Sequence, residues 1–128
     1  MTGLEINTEE TETGVPVLRV RGEIDLHTCP QLRSMLLDLL GAGKSRLVLD
    51  LAEVPYLDSA ALGVLVDAVR RAREMGGGLY LVRMTPFVKR AFEITRLVKI
   101  FQVHDTEEAA LQAIMSAPAT EDGSPQAA

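Results

Sequence analysis

The sequence predicts an α/β fold: a single domain with a mixed, mostly parallel β-sheet and crossover helices packed against it. Three observations carry this. Short apolar segments of strand length alternate along the chain with longer segments of helical period, the pattern of strand–helix–strand units. One of the short segments, Leu47-Val48-Leu49, is continuously apolar, as a strand buried on both faces must be. The chain has 128 residues, 47% of them hydrophobic, enough for one core.

The elements follow in order. Leu4 and Ile6 alternate with polar residues, predicting a short edge strand that turns at Gly14. Val15 to Gly22 alternates again, with Arg19 and Arg21 on one side, and pairs with the first strand as a hairpin. Pro16 suits the first residues of a strand. Thr28-Cys29-Pro30-Gln31 has the form of a capping box, with Thr28 as N-cap, Gln31 three residues on and Pro30 in the first turn. Leu32, Met35, Leu36, Leu39 and Leu40 then form one apolar stripe, and Gly41 and Gly43 end the helix.

Arg46 to Leu51 is the central strand. After Pro55, Asp58 and Ser59 stand just ahead of an apolar run carrying Leu62, Leu65, Val66, Val69 and Ala72, so a helix starts there. Gly76-Gly77-Gly78 stops it. A phosphate loop is the wrong reading of this triplet, because such loops run from strand to helix. Leu79 to Val82 is a strand. Thr85-Pro86 opens a helix whose core face is expected to hold Phe87, Val88, Ala91, Phe92 and Ile94 or Thr95. Val98 to Val103 is expected to be the final strand. Asp105 is expected to cap a last helix with Glu108 in its first turn. Residues 117–128 are small and polar with Pro and Gly, the composition of a disordered tail.

Composition excludes several functions. A net charge of −5 argues against nonspecific nucleic-acid binding, which needs a basic surface. No apolar run is long enough to span a membrane, and the acidic N-terminus lacks a signal peptide's apolar core. The single cysteine, Cys29, allows no internal disulfide, so a cytoplasmic location is expected. One Cys and two His make a structural zinc site improbable, and no cofactor motif is present. Ser59 lacks the Gly-x-Ser-x-Gly elbow of a hydrolase, and neither His27 nor His104 sits in a pattern that would activate it. Enzymatic activity is not expected. Asp25 reads either as a turn aspartate or as part of a site, and Asp58-Ser59 either as a helix cap alone or as a cap with a recognition role.

Several segments in order carry a resemblance. They are Gly22-Glu23-Ile24-Asp25, then Thr28 and Pro30, then Leu57-Asp58-Ser59-Ala60-Ala61-Leu62-Gly63-Val64. Pro86-Phe87-Val88-Lys89-Arg90-Ala91-Phe92 and Leu97-Val98-Lys99-Ile100-Phe101 complete the set. Together they resemble the STAS domain of bacterial anti-sigma factor antagonists, over roughly residues 4–115. The resemblance implies a STAS-type domain over 1–116. It implies a partner switch: the unphosphorylated protein binds an anti-sigma factor that is also a serine kinase, and so frees the sigma factor. The kinase then phosphorylates the protein, and a metal-dependent Ser/Thr phosphatase resets it. On this sequence the phosphoacceptor would be Ser59, and the partner surface Asp25, Thr28, Asp58, Ser59, Ala60, Ala61 and Leu62. Ala60-Ala61 departs from the family's usual Ser or Thr followed by Gly, and extra bulk at Ala61 would alter the fit to a partner. Two other classes are compatible with such a domain: a scaffold subunit of a stressosome-like or lipid-transport complex, and a nucleotide-binding or other small-ligand module.

Overall fold

The computed structural model describes residues 3–116, so the tail expected at 117–128 lies outside the described residues. The elements are β1 (Glu5–Glu10), β2 (Pro16–Arg21), α1 (Cys29–Gly41), β3 (Arg46–Glu53), α2 (Ser59–Glu74), β4 (Gly78–Val82), α3 (Pro86–Ile94), a 3-10 turn (Leu97–Ile100), β5 (Gln102–His104) and α4 (Glu107–Ser116). The sheet order is β1-β2-β3-β4-β5. β1 and β2 form the antiparallel hairpin, and every later pairing is parallel. The α/β architecture is therefore the one its alternation predicts.

Strand alternation divides the interior into two layers. Leu18, Val20, Leu47, Leu49, Leu51, Leu79 and Leu81 share one core with the buried faces of α1, α2 and α3. Val17, Val48, Tyr80 and Val82 face the other way and are covered by Ala110 and Ile114 of α4. β3 is buried on both faces because helices cover both.

One charged cluster lies on the α4 side. Asp50 is 2% exposed and accepts from the Arg83 guanidinium, with Nη2 to Oδ2 at 3.0 Å. Its neighbour Glu107 is gripped by Arg19, which donates Nε to Oε2 and Nη2 to Oε1, both at 2.8 Å. Burial pushes the Asp50 carboxyl up, and its hydrogen bond with Glu107 adds to the rise. The Arg19 guanidinium holds Glu107 down to about 2. Arg83 sits at φ 56°, left-handed backbone that a residue with a side chain adopts at a cost.

Five sequence expectations are corrected. The capping box does not form, since Thr28 makes no side-chain cap bond. Gln31 instead holds Leu4, accepting from its N–H (3.3 Å) and donating to its carbonyl (2.7 Å). On α2 the buried residues are Ala61, Leu65, Ala68, Val69 and Ala72, while Leu62 and Val66 are half-buried. The helical period was correct, but contact with the sheet rotates the stripe. On α3 only Val88 and Phe92 are buried; Phe87 and Ile94 face outward, 54% and 70% exposed. Residues 97–100 form the 3-10 turn, so the last strand is shorter than expected. At α4 it is Thr106, not Asp105, whose hydroxyl accepts from the Ala109 N–H, at 3.0 Å.

Candidate functional site

The parallel strands end on one edge of the sheet, where the loops after β2 and β3 lie side by side. Those loops continue the strand pairing past its regular end. Gly22 N–H donates to Glu53 O, Ile24 N–H to Tyr56 O, and Asp58 N–H to Ile24 O, all within 3.0–3.1 Å. An isolated parallel bridge joins Ile24 and Leu57. Gly22 at φ 114° makes the turn out of β2, a conformation closed to residues with a Cβ.

Asp58 caps α2. Its Oδ1 accepts from the Ala61 N–H at 3.1 Å, satisfying one of the amides that a helix start leaves without partners. Its Oδ2 accepts from the Leu26 N–H, also at 3.1 Å. A single carboxylate thus secures the helix and the neighbouring loop. Ser59 follows as the first residue of α2. It is exposed, and its hydroxyl has no hydrogen-bond partner among the described residues.

Asp25 organises its own loop. Its Oδ1 accepts from the His27 and Thr28 N–H groups at 2.9 and 3.0 Å, the side-chain turn typical of Asp. The Thr28 hydroxyl accepts from the Asp25 N–H at 2.9 Å and donates to Glu23 O at 2.8 Å. The Thr28 N–H, joined by that of His27 and the Thr28 hydroxyl, holds the Asp25 carboxyl below its usual range. Asp25 is a turn aspartate, and the clasp between Leu26 and Asp58 puts its loop against the start of α2.

The other expected site residues divide. Ala60 and Leu62 are half-buried on the first turn of α2. Ala61 is fully buried, so its methyl faces the core and offers nothing to a partner; only its N–H, bound by Asp58, serves the site. Cys29 is buried behind the loop, and burial, with the charges of Asp58 and Asp25, pushes its thiol up. That is the opposite of what a reactive thiol needs. His104 stacks on Tyr80 with ring centroids 6.1 Å apart at the end of β5.

Sequence periodicity missed an apolar rim. Leu26 is 66% exposed although its backbone is anchored to Asp58. Tyr56, on the loop before α2, lies against Phe87 of α3 with ring centroids 5.4 Å apart. The Thr85 hydroxyl ties the two segments by donating to Val54 O at 2.9 Å. The available signal was the break in strand pattern at Pro55-Tyr56, which sets an aromatic residue on a surface loop.

Fold and site together define a small α/β module that presents a hydroxyl on a helix start between two clasped loops, with an apolar rim beside it. No group of His, Cys, Asp and Glu suited to a metal occurs among the described residues. A model of the STAS domain family matches residues 5–110, and the chain belongs to that family. It is 31% identical over 109 residues to the anti-sigma-B factor antagonist of Bacillus subtilis, covering 85% of this chain and 98% of that protein. It is 30% identical over 91 residues to the anti-sigma-B factor antagonist of Staphylococcus aureus, covering 71% and 84% of the two chains. The crystal structure of an anti-sigma factor antagonist from Mycobacterium paratuberculosis superposes with a TM-score of 0.80 at 29% identity, covering 88% of this chain and 95% of that one.

Proposed function

We propose that this protein is an anti-sigma factor antagonist whose binding is switched at Ser59. Unmodified, it engages an anti-sigma factor with serine kinase activity through Ser59, Asp58, Ala60, Leu62 and the Asp25–Thr28 loop. The sigma factor is thereby freed. The kinase then transfers a phosphoryl group to Ser59, and a Ser/Thr phosphatase removes it. Such a partner implies a cytoplasmic protein that binds no nucleic acid itself. The observation that carries this reading is the exposed, unbonded hydroxyl of Ser59 at the first position of α2.

Physical chemistry makes the switch coherent. Phosphorylation adds a charge of about −1.5 to −2 at pH 7. The start of a helix tolerates that charge, because its free amides and dipole favour anions. The fold therefore need not open. A partner surface fitted to a neutral hydroxyl would instead have to accommodate bulk and charge next to Asp58. A loss of about 3 kcal/mol weakens binding more than a hundredfold, which is release without rearrangement.

The experiment is incubation with candidate anti-sigma kinases and ATP, with the modified residue read by mass spectrometry. Ser59→Ala should stay folded and bind the kinase constitutively, and Ser59→Asp should stay folded and bind poorly. Equal affinity of the two variants for a kinase that binds the unmodified protein sinks the switch.

A further inference from the structure

The side chain of Arg83 lies on the face of the sheet that strand alternation would deny it. Leu79 and Leu81 of β4 point into the core that α1, α2 and α3 cover, whereas Tyr80 and Val82 point towards α4. In an extended strand the next residue would follow Leu81. Arg83 instead has left-handed backbone, with φ 56°. Its guanidinium reaches Asp50, which stands two residues after Val48 on β3 and so shares the α4 face.

Two costly features meet in this contact. Left-handed backbone strains a residue that carries a Cβ, and a buried carboxylate is unfavourable without a cation. Each is offset by the other. Arg83 donates Nε to Oδ1 at 3.3 Å and Nη2 to Oδ2 at 3.0 Å, the paired fork in which guanidinium binds carboxylate best. The Ala52 N–H donates a further bond to Oδ1, at 3.0 Å. Among the described residues no other charged side chain is buried.

The turn at Arg83 launches α3. Thr85 donates its hydroxyl to Val54 O at 2.9 Å, and its carbonyl accepts from the Lys89 N–H at 2.8 Å. Val88 and Phe92 anchor the inner side of the helix, while Phe87 faces outward against Tyr56. The Tyr56 carbonyl accepts from the Ile24 N–H, and the Ile24 carbonyl from the Asp58 N–H. The direction in which the chain leaves β4 thus bears on the loop that leads into α2. We infer that Asp50 and Arg83 are positioning residues for the partner surface: from the opposite face of the sheet, their ion pair holds the left-handed turn that seats Phe87 against Tyr56. That an anti-sigma factor lands on this rim rests on the proposed function; the seating of the rim does not.

The test compares Asp50→Asn, Arg83→Ala and Arg83→Gly in the full-length, isotope-labelled protein without a partner. The Arg83 side chain is 50% exposed and asparagine has the shape of aspartate, so all three should fold. Asp50→Asn and Arg83→Ala should lose the cross-peaks between the Tyr56 and Phe87 rings and shift the Phe87 and Asp58 amides. Glycine takes left-handed backbone without strain, so Arg83→Gly should regain the ring cross-peaks although the ion pair is gone. A merely structural ion pair would lower the thermal midpoint in all three and leave the ring contact in place. That result overturns the inference, as does an Arg83→Gly protein that behaves like Arg83→Ala. In a second arm, calorimetric titration against the anti-sigma kinase that phosphorylates the protein should show Asp50→Asn and Arg83→Ala binding about fivefold more weakly, with Arg83→Gly near wild type. Unchanged binding by variants that have lost the ring contact overturns the role in partner recognition. Wild-type protein that binds no such kinase counts against the proposed function, and the ring contact still decides whether the ion pair seats the rim.

Discussion

Asp58 holds Leu26: the carboxylate that caps α2 reaches across to the amide of a residue in the loop after β2, 3.1 Å away. The two loops of the candidate site are therefore one mechanical unit, and a change at Asp58 acts on both.

Replacing Asp58 by Ala removes the helix cap and the loop anchor together. An N-cap aspartate contributes about 1 kcal/mol, and the second bond brings the expected loss to about 2 kcal/mol. Thermal unfolding should fall accordingly, and hydrogen exchange at the Leu26 and Ala61 amides should accelerate. Asp58→Asn keeps an acceptor and should recover part of the loss. Unchanged exchange at Leu26 in Asp58→Ala would show that the clasp contributes nothing in solution.

Leu26 and Phe87 are large, apolar and exposed, so truncating either should leave stability within about 0.5 kcal/mol. If this rim is the centre of the partner surface, Leu26→Ala and Phe87→Ala should each weaken binding of the anti-sigma factor by about 1 kcal/mol or more. Calorimetric titration against that partner measures the loss, and wild-type affinity in both variants removes the rim from the interface.

Glu107 gives the fold an acid limb with a defined sign. Its carboxyl falls from an ordinary 4.5 to about 2 in the folded chain, so its ionised form stabilises the protein fully above about 4.5. That contribution is lost as pH drops towards 2. Asp50, raised by burial, has the opposite sign: it favours folding while protonated, and that share fades as pH rises through its folded value. Glu107→Gln should destabilise the protein by about 1 kcal/mol at neutral pH, a figure kept low because its partner Arg19 is 43% exposed. In urea unfolding, the gap from wild type should close as pH falls through the window between those two values.

Gly77 and Gly63 are both glycines, yet they should respond oppositely to alanine. At Gly77 the added methyl meets the Ser45 carbonyl, and the backbone must shift at a cost of several kcal/mol. At Gly63, inside α2 with open space around the new Cβ, alanine should stabilise by about 0.5–1 kcal/mol through helix propensity. Denaturant unfolding of the two variants separates them by sign.

What could be read from the sequence depended on whether the signal was local. Leu47-Val48-Leu49 marked β3 because burial on both faces demands a continuous apolar run. Asp58 marked its helix because a cap is a contact three residues long. Thr28 and Gln31 carried an equally good local signature, but Gln31 found a better use: Leu4 offered it both backbone groups from 27 positions away. The phases of α2 and α3 escaped for the same reason. Their period lies in the chain, but which residues turn inward depends on where the sheet lies. Ala61 was misplaced on the surface and Phe87 in the core by that single missing fact. The clasp between the Asp25 loop and Asp58 depends on β2 and β3 being neighbours, which no spacing in the sequence encodes.

The bond between Gln31 and Leu4 reaches further than the hairpin. It pins the chain's beginning beside the loop after β2, so Gly3 shares one open concavity with Gly22, Glu23, Asp25, Thr28 and Gln31. Any domain or affinity tag fused ahead of residue 3 is delivered to the doorstep of the loop that Asp58 clasps. Its bulk would there contend with a partner for the space over that loop, at an effective concentration set by the length of the linker. A fusion partner at that end is thus never a neutral passenger.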